Sequence, residues 1–391
     1  GNIVAPEGGG RVMDQAVVSY FRAPHSYTGE DVVEITLHGS PVVTAEVLEL
    51  LFEAGVRPAS PGEFTYRAFI NDRIDLVQAE AVADLVASKS LRAAEQAVRQ
   101  LEGGLGRQVD EIGLAIRRAL TSCELELDFV EEDLEPADGQ RKLDLIERAL
   151  DGTARMLDGY RAARHIREGV KVAVVGPVNV GKSSLFNRLT GEEHAIVHPK
   201  PGTTRDVLHE STVIRGVAFE FFDTAGMRRA ADEVEDEGVR RAMRAAEEAD
   251  ILLDVRAVDE GPVAAVECGA NGNRVCVLNK MDLAPEIDPG GRIPVSAKTG
   301  LNLDALKSVL FDRAVGDECP EGSINRERHF RCMKRVQRSL ELAKEAAESG
   351  HPAEIVAEEL HHALDALDEL TGRRHRSDLL SDIFRDFCIG K

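Results

Sequence analysis

The chain has 391 residues, a length that suggests two or three domains, and 43% of them are hydrophobic, enough to build substantial cores. Its formal net charge of −21 argues against a protein that coats nucleic acid regardless of sequence, although a local basic patch could still bind a specific RNA. No stretch approaches about 18 uninterrupted apolar residues and no secretory signal pattern opens the chain, so we expect no membrane span and a cytoplasmic location, with the six scattered cysteines reduced.

Residues 1–80 show the pattern of a small α/β domain. Polar and apolar residues alternate at 32–37, which predicts a strand, and residues 42–52 have the spacing of a helix. Pro61 and Gly62 mark a loop. A domain of this size is too short to bury a generous core alone, so we expect it to associate with another surface.

Long amphipathic helices are predicted within residues 81–167. A stripe of apolar residues at three- or four-residue spacing marks the face of a helix that has to pack against other apolar surface. The stripe residues are Leu105, Val109, Ile112, Ile116, Leu120, Cys123 and Leu127, followed by Leu143, Ile146, Leu150 and Leu157.

A phosphate-binding loop is predicted next. After Lys171, residues 172–175 form an unbroken apolar run that is typical of a buried parallel strand. The pattern G-x-x-x-x-G-K-S follows at 176–183, and residues 184–189 have the spacing of a helix. This strand–loop–helix order is the context that a P-loop requires. A chance glycine-rich turn is the alternative for one isolated motif, but three further motifs follow in the order that a GTP-binding domain needs, so residues 168–316 are assigned to such a domain.

The residues of this loop suit a nucleotide. Gly176 and Gly181 allow the backbone to present N–H groups to phosphates, and the helix N-terminus adds partial positive charge. Lys182 is expected to reach the β- and γ-phosphates, and the Ser183 hydroxyl is expected to bind Mg²⁺. The predicted nucleotide contacts here are Asn179, Val180, Gly181, Lys182, Ser183 and Ser184.

A second set of residues is predicted to sense the γ-phosphate. Asp223 ends the strand pattern of 217–222 and suits an indirect or water-mediated contact to Mg²⁺. Gly226 can donate its N–H to the γ-phosphate, so loss of that phosphate would release the segment behind it. Upstream, Thr204 is the favoured magnesium-binding threonine and Thr203 is a further nucleotide contact.

Two strand patterns, at 275–278 and 292–295, end in predicted base contacts. The Asp282 carboxylate can accept hydrogen bonds from the ring N–H and exocyclic amine of guanine, a donor pair that adenine lacks, so GTP is selected over ATP. Lys280 would flank the base, and Ala297 would donate its backbone N–H to the guanine oxygen. The predicted contacts are Asn279, Lys280, Asp282, Ser296, Ala297 and Lys298.

The group that positions the attacking water is not evident from the motifs. Met227 follows Gly226, and its thioether is only a weak acceptor, whereas many small GTPases have glutamine there. The acidic run of residues 232–237 lies close downstream. This run could supply the group that positions the water, or it could be only a solvated run of charge.

Further helices are predicted after residue 316, and helices from both flanks pack most simply into one bundle. The fold class is therefore a mostly parallel P-loop GTPase domain inserted into a helical bundle of residues 81–167 and 317–391, preceded by the small α/β domain. The apolar stripes are Phe330, Met333, Leu340 and Ala347, then Leu360, Leu364, Leu367 and Leu370, then Leu380, Ile383, Phe384 and Phe387. Two basic clusters could form an RNA patch or be ordinary helix-surface charge: Arg326, Arg328, Arg331, Lys334 and Arg335, and Arg373, Arg374, His375 and Arg376.

The chain resembles the MnmE (TrmE) family of tRNA-modification GTPases nearly from end to end. The matching segments are Tyr-Thr-Gly-Glu-Asp at 27–31, Pro-Gly-Glu-Phe-Thr-Tyr-Arg-Ala-Phe at 61–69, Asp-Leu-Val-Gln-Ala-Glu-Ala at 75–81, Gly-Thr-Thr-Arg-Asp at 202–206, Asp-Thr-Ala-Gly at 223–226 and Phe-Cys-Ile-Gly-Lys at 387–391. The resemblance implies a folate-binding, dimer-forming N-terminal domain. It also implies that the protein acts with the FAD-containing partner MnmG on the 5-position of the wobble uridine of certain tRNAs. The one-carbon unit would come from a tetrahydrofolate derivative, in the 5-formyl or methylene form.

The resemblance also implies roles for single residues. Asn179 would help to bind K⁺, together with Ile196 and Val197, and Glu235 would position the attacking water. Arg228 matches a switch arginine, and Cys388 matches the cysteine of the terminal motif, for which a buried thiol is the alternative. The residues expected to act in catalysis are Glu235, Lys182, Arg228 and Cys388, and those expected at the folate site are Glu30, Arg67 and Lys391.

Some features depart from the family pattern. Pro177 precedes Val178, whereas family P-loops usually place the proline directly before the asparagine, and residues 196–201 are richer in proline than usual. K⁺ affinity is expected to differ if backbone carbonyls of 196–201 hold the ion. The alternative function, from another class, is a regulatory GTP switch whose helical arms only bind partners, for example in ribosome assembly. The folate-type N-terminal motif and the terminal Cys-Ile-Gly-Lys favour the modification enzyme.

Overall fold

The computed structural model describes the residues 1–4, 10–128, 136–191, 209–223, 249–260, 273–316, 320, 322–374, 380, 383–385 and 387. The backbone alone is described for residues 128, 136–138, 209, 210 and 223. In this part of the chain no helix is both long enough and apolar enough to cross a membrane.

Short strand pairs and two helices form the N-terminal part. Strands β1 and β2 pair antiparallel, as do β3 and β4, and the predicted strand and helix lie where expected. Many apolar side chains on β3, β4 and α1 remain exposed, among them Val17, Tyr20 and Val42. The elements are β1 (Asn2–Val4), β2 (Val12–Gln15), β3 (Val17–Phe21), β4 (Val32–Thr36), α1 (Pro41–Glu53) and α2 (Glu63–Ile70).

Helices from two distant parts of the chain form one bundle, as predicted. Helices α5 and α6 come before the inserted domain, α10 and α11 come after it, and their apolar faces share one core that includes Ile116, Ile146, Met333 and Leu360. The elements are α3 (Leu76–Ala87), α4 (Leu91–Leu101), α5 (Gly104–Asp128), α6 (Pro136–Asp158), α7 (Tyr160–Glu168), α10 (Glu327–Glu348) and α11 (Ala353–Thr371).

The N-terminal end of helix α3 is capped and closely packed. Asp75 accepts a hydrogen bond from the Gln78 backbone N–H at 2.7 Å, and the Gln78 side chain accepts one from the Asp75 N–H at 2.9 Å, which is a capping box. Gly372, which ends α11 at φ +82°, lies so close to α3 that a Cβ atom there would be 2.7 Å from Leu76 Cβ. The end of α11 therefore packs tightly against the start of α3.

The inserted domain is built on a six-stranded sheet within the described residues. The strand order is β10-β9-β8-β5-β7-β6, and neighbours are parallel except for the antiparallel pair β6 and β7. Buried side chains such as Val172, Phe219 and Leu253 fill its core. The elements are β5 (Val170–Val175), α8 (Lys182–Thr190), β6 (His209–Ile214), β7 (Val217–Asp223), β8 (Ile251–Ala257), β9 (Arg274–Asn279), β10 (Ile293–Pro294) and α9 (Leu303–Ala314).

Two expectations differ from the structure in detail. The last strand is shorter than the predicted 292–295, because only Ile293 and Pro294 pair with β9. Cys276 on β9 is disulfide-bonded, so the expectation that every cysteine is a reduced thiol is wrong for this residue. Cys123 and Cys332 are free and buried.

Candidate functional site

The P-loop follows β5 and uses backbone conformations that side chains rarely allow. Gly176 has φ +148° and Gly181 has φ +90°, and Asn179 between them has φ +67°. A Cβ atom on Gly176 would lie 2.2 Å from Val255 O, and one on Gly181 would lie 2.5 Å from Asn279 Nδ2. Both glycines are therefore required by close approach as well as by conformation.

Lys182 is the first residue of α8 and folds back over the loop. Its Nζ donates hydrogen bonds to Gly176 O at 2.9 Å and to Pro177 O at 2.5 Å, and the residue is only 7% exposed. The loop thus encloses an ammonium group where phosphate oxygens would be expected to bind. Ser183 and Ser184 are exposed in the first turn of α8, where the helix dipole favours anions.

A buried asparagine joins the P-loop to the loops that are predicted to bind the base. Asn279 lies at the end of β9 and is 2% exposed. Its Nδ2 donates to Val180 O at 2.9 Å, and its Oδ1 accepts the Ala297 backbone N–H at 3.0 Å. The sequence assigned Asn279 and Ala297 to guanine and gave no sign that they bind each other. The strand order could have suggested it, since β5 and β9 both flank β8.

The predicted guanine carboxylate is oriented by a serine. Ser296 Oγ donates to Asp282 Oδ1 at 2.6 Å and accepts the Thr299 N–H at 3.2 Å. Ser296 is fully buried, whereas Asp282 is exposed, so the serine holds one carboxylate oxygen while the group faces solvent. Such an arrangement can present a carboxylate to two N–H donors of a base.

Lys280 has an acidic partner that the motif did not reveal. Its Nζ forms an ion pair with Asp259 Oδ2 at 2.7 Å, and the hydrogen bond from Lys280 lowers the pKa of Asp259 below its ordinary value. Asp259 follows β8 in a short 3₁₀ turn, Val258–Glu260. Lys298 is exposed beside Ala297. Lys280 itself has φ +63°, a conformation that turns the chain sharply after β9.

Several predicted site residues fall outside the described part of the chain. These are Ile196, Val197, Thr203, Thr204, Gly226, Arg228, Glu235, Cys388 and Lys391, with Met227 and the acidic run beside them. Asp223 ends β7, where it pairs in register with Val174 of β5, but its side chain is not described. The described contributions to the predicted ion sites are therefore Ser183 for Mg²⁺ and the exposed Asn179 for K⁺. A hydroxyl and an amide oxygen are oxygen donors of the kind that these hard cations take.

Two of the three predicted folate residues meet in a pocket. Arg67 Nη1 donates to Glu30 Oε2 at 2.7 Å, and this bond is the main reason that the pKa of Glu30 is lowered. Arg67 also pairs with Glu63 at 2.8 Å. These three residues, with Val32 and Phe64, line a pocket of about 320 Å³.

The described part of the C-terminal segment packs beside this pocket. Phe384 makes an edge-to-face contact with Tyr66 at 5.4 Å between ring centroids. Gly62, at φ +69°, is closely packed against this segment, because a Cβ atom there would lie 3.0 Å from Phe387 Cβ. The pocket and the segment that precedes Cys388 therefore share one region of α2.

The first basic cluster is largely used in ion pairs. Arg326 binds Asp84 at 2.6 Å, and Arg328 binds Glu80 at 2.9 Å. Other members of the two clusters also form ion pairs, which are Arg331–Glu327, Arg335–Glu369, Arg373–Asp110 and Arg374–Asp365. The interpretation as helix charge paired within the protein is favoured over an RNA patch.

Family models and curated relatives match nearly the whole chain. Residues 1–73 match a model described as the N-terminus of the GTP-binding protein TrmE, and residues 76–388 match one described as the MnmE helical domain. A protein of Parvibaculum lavamentivorans named tRNA modification GTPase MnmE is 44% identical over 384 residues, 97% of this chain and 87% of that protein. Proteins of the same name from Alkalilimnicola ehrlichii and Natranaerobius thermophilus are 40% and 37% identical and cover 98% and 100% of this chain, with 88% and 89% of their own lengths matched.

Solved structures overlap with a smaller part of the chain. An Era variant of Aquifex aeolicus bound to GDP and AlF4⁻ is 27% identical, covering 44% of this chain and 67% of its own, at a TM-score of 0.28. The G domain of the T. maritima FeoB iron transporter is 26% identical, covering 37% of this chain and 98% of its own, at a TM-score of 0.27.

Proposed function

The chain belongs to the MnmE family of tRNA modification GTPases, and from this premise we propose that it uses GTP hydrolysis to support modification of the wobble uridine of certain tRNAs. The observation that carries the nucleotide part is Asn279, which holds the P-loop and the Ala297 loop together in one site. The curated relatives are named tRNA modification GTPase MnmE, and we infer that this chain is likewise a GTPase whose site binds GTP and GDP.

Each described residue has a defined task in the nucleotide site. Lys182 would exchange its bonds to loop carbonyls for bonds to phosphate oxygens, which supplies positive charge where the transition state is negative. Ser183 would hold Mg²⁺ together with Thr204, and Asp223 would contact the ion indirectly or through water. Asp282, oriented by Ser296, would accept the guanine N–H donors. When bound, Mg²⁺ would neutralise charge on the phosphates.

We extend the proposal to K⁺ and to the attacking water on the strength of family membership. Asn179 is exposed in the P-loop, so its side chain is accessible to an ion. Ile196 and Val197 would complete the K⁺ site, and Glu235 would position water in place of Met227. Arg228 would act within the same segment.

The one-carbon chemistry is proposed for the N-terminal pocket. The Glu30–Arg67 pair offers both an acceptor and a donor for the polar ring edge of a tetrahydrofolate derivative. Phe384 and Phe387 bring the segment that leads to Cys388 and Lys391 towards α2, which supports a site shared by both. Cys388 would then act close to the one-carbon unit.

We also propose that the protein is a homodimer that works with an MnmG-type FAD protein on tRNA in the cytoplasm. Exposed apolar side chains on β3, β4 and α1 support a contact surface in the N-terminal domain of residues 1–80. We further propose that residues 81–167 and 317–391 together form the helical domain and that residues 168–316 form the GTPase domain.

Mass analysis of tRNA nucleosides from cells with and without this protein tests the proposal. We expect the modified wobble uridines to disappear without the protein and to return with the intact gene. If the wobble uridines are the same with and without the protein, and the purified protein still binds and hydrolyses GTP, the regulatory switch would be favoured. Binding of 5-formyltetrahydrofolate to purified protein tests the pocket, with Arg67→Gln expected to abolish it and Arg11→Gln, on an exposed ion pair with Glu46, as a control.

A further inference from the structure

One carboxylate on α3 binds two arginines from different parts of the chain. Asp84 Oδ1 accepts Arg326 Nη2 at 2.6 Å and Arg167 Nη1 at 3.3 Å, and its Oδ2 accepts Arg326 Nε at 3.2 Å. The Asp84 side chain is 9% exposed, and the two arginine side chains are 19% and 22% exposed. The group is therefore a mostly enclosed ionic contact, in which charges attract more strongly than at an open surface.

The two arginines mark the two connections between the GTPase domain and the bundle. Arg167 is near the end of α7, three residues before β5 begins at Val170, and Arg326 directly precedes α10. Arg167 Nε also donates to Asn325 O at 3.1 Å, so the incoming and outgoing segments bind each other. Both covalent connections thus meet at Asp84.

The same helix contacts both the bundle and the C-terminal segment. Glu80, one turn before Asp84, is 2% exposed and accepts hydrogen bonds from His329 Nε2 at 2.6 Å and Arg328 Nη2 at 2.9 Å on α10. At the other end of α3, Leu76 and Ala79 share a core with Phe384 and Phe387. A shift of α3 would therefore displace the C-terminal segment that packs beside the pocket of Glu30 and Arg67.

We propose that Asp84 is a positioning residue that couples the GTPase domain to the tRNA-modification site through α3. A change of orientation of the GTPase domain would pull on Arg167 and Arg326 together, and Asp84 would transfer that movement to α3. The inference rests on the proposed function, because it needs GTP hydrolysis and tRNA modification in one protein. Such coupling requires an element with two arrangements whose equilibrium depends on both the GTPase site and the modification site, and α3 is the proposed element.

The test measures how much tRNA is modified for each GTP hydrolysed by the full-length protein with its FAD-containing partner. We expect Asp84→Asn to keep the GTP hydrolysis rate within about three-fold while the ratio of modified uridine to GTP falls about ten-fold. Asp84→Glu retains the charge and should recover most of that ratio. The matched control is Asp110→Asn, which removes an exposed ion pair with Arg373 on the bundle and should leave the ratio unchanged.

The outcomes separate coupling from a structural role. An unchanged ratio in a folded Asp84→Asn variant, or equal losses of hydrolysis and modification, would overturn the proposal. If Asp84→Asn does not fold, Arg167→Lys and Arg326→Lys replace it, because they retain the charge but lose the forked donors of the guanidinium. Each should lower the ratio of modified uridine to GTP hydrolysed. Unchanged ratios in both variants would overturn the proposal. Failure of the unaltered protein to modify tRNA would instead reject the proposed function.

Discussion

Asn279 at the end of β9 donates a hydrogen bond of 2.9 Å to the carbonyl oxygen of Val180, which lies 99 residues earlier in the P-loop. The other end of the same amide accepts the Ala297 N–H. One side chain therefore fixes the distance between the phosphate loop and both base loops. The residues predicted to contact guanine and those predicted to contact phosphate are therefore linked through one side chain.

The first prediction follows from this bridge. Asn279→Ala leaves the Val180 carbonyl and the Ala297 N–H without this partner, and a buried unpaired polar group costs about 1–3 kcal/mol. We expect GTP and GDP affinity to fall together by about ten-fold or more, because both nucleotides need the aligned loops. Titration with fluorescent nucleotides measures this. Asn187→Ala, at an exposed position of α8, is the control, and loss of affinity for GTP alone would contradict the prediction.

The second prediction concerns base selection. Asp282→Asn places an amide donor where guanine also donates, so GTP should bind more weakly and xanthosine nucleotides should gain affinity. Ser296→Ala removes the 2.6 Å hydrogen bond that orients the carboxylate and should weaken GTP binding without admitting xanthosine nucleotides. Competition titrations with both nucleotides distinguish the two variants. Unchanged GTP affinity in Asp282→Asn would reject its assignment to guanine.

The third prediction is that hydrolysis depends on K⁺. A monovalent cation held by Asn179 would neutralise charge that develops between the β- and γ-phosphates. GTP hydrolysis should be much faster in potassium than in sodium at equal ionic strength, and Asn179→Ala should remove the difference. Steady-state phosphate release measures it. Equal rates in the two salts would count against a K⁺ site.

The fourth prediction assigns the attacking water to Glu235. Glu235→Ala should slow hydrolysis by roughly 10²-fold or more with little change in nucleotide affinity, because a positioned acid–base group acts mainly in the transition state. Single-turnover hydrolysis at saturating K⁺ is the measurement. Alanine substitutions at Asp232, Glu233, Asp236 and Glu237 are the controls. A rate within about three-fold of the unaltered enzyme, or equal effects at all five positions, would indicate a merely solvated charge run.

The fifth prediction concerns Cys123 in the bundle core. Burial raises the pKa of its thiol from an ordinary 9.0 to about 11, so the protonated form is favoured when the protein is folded. The contribution of the Cys123 thiol to the free energy of unfolding should be fully present below pH 9. It should be lost as the pH rises from 9 towards 11, because the thiol ionises first in the unfolded protein. Thermal unfolding of native and Cys123→Ala protein across this range measures the difference. A pH dependence identical in both would contradict it.

Local patterns in the sequence were sufficient for the elements and for most of the nucleotide motifs. The apolar run that follows Lys171 lies in β5, and the stripe that begins at Leu105 lies in α5, because side-chain periodicity follows directly from backbone geometry. Gly176 and Gly181 were recognisable because a P-loop needs backbone conformations that other residues resist. Strand ends were less certain, since the 292–295 strand is set by how far it pairs with β9.

The tertiary structure alone decided which polar groups meet. Arg326 and Arg328 look like surface charge in the sequence, yet the fold places them against Asp84 and Glu80, 242 and 248 residues away. The hydrogen bond from Asn279 to Val180 is likewise long-range, and so is the aromatic contact between Phe384 and Tyr66. Periodicity tells which face of an element is buried, but the pairing of a charge depends on which distant element covers that face. The sequence by itself therefore determined the elements, the motifs and the family, and the packing of the three parts determined how the nucleotide loops, the α3 carboxylates and the C-terminal segment are connected.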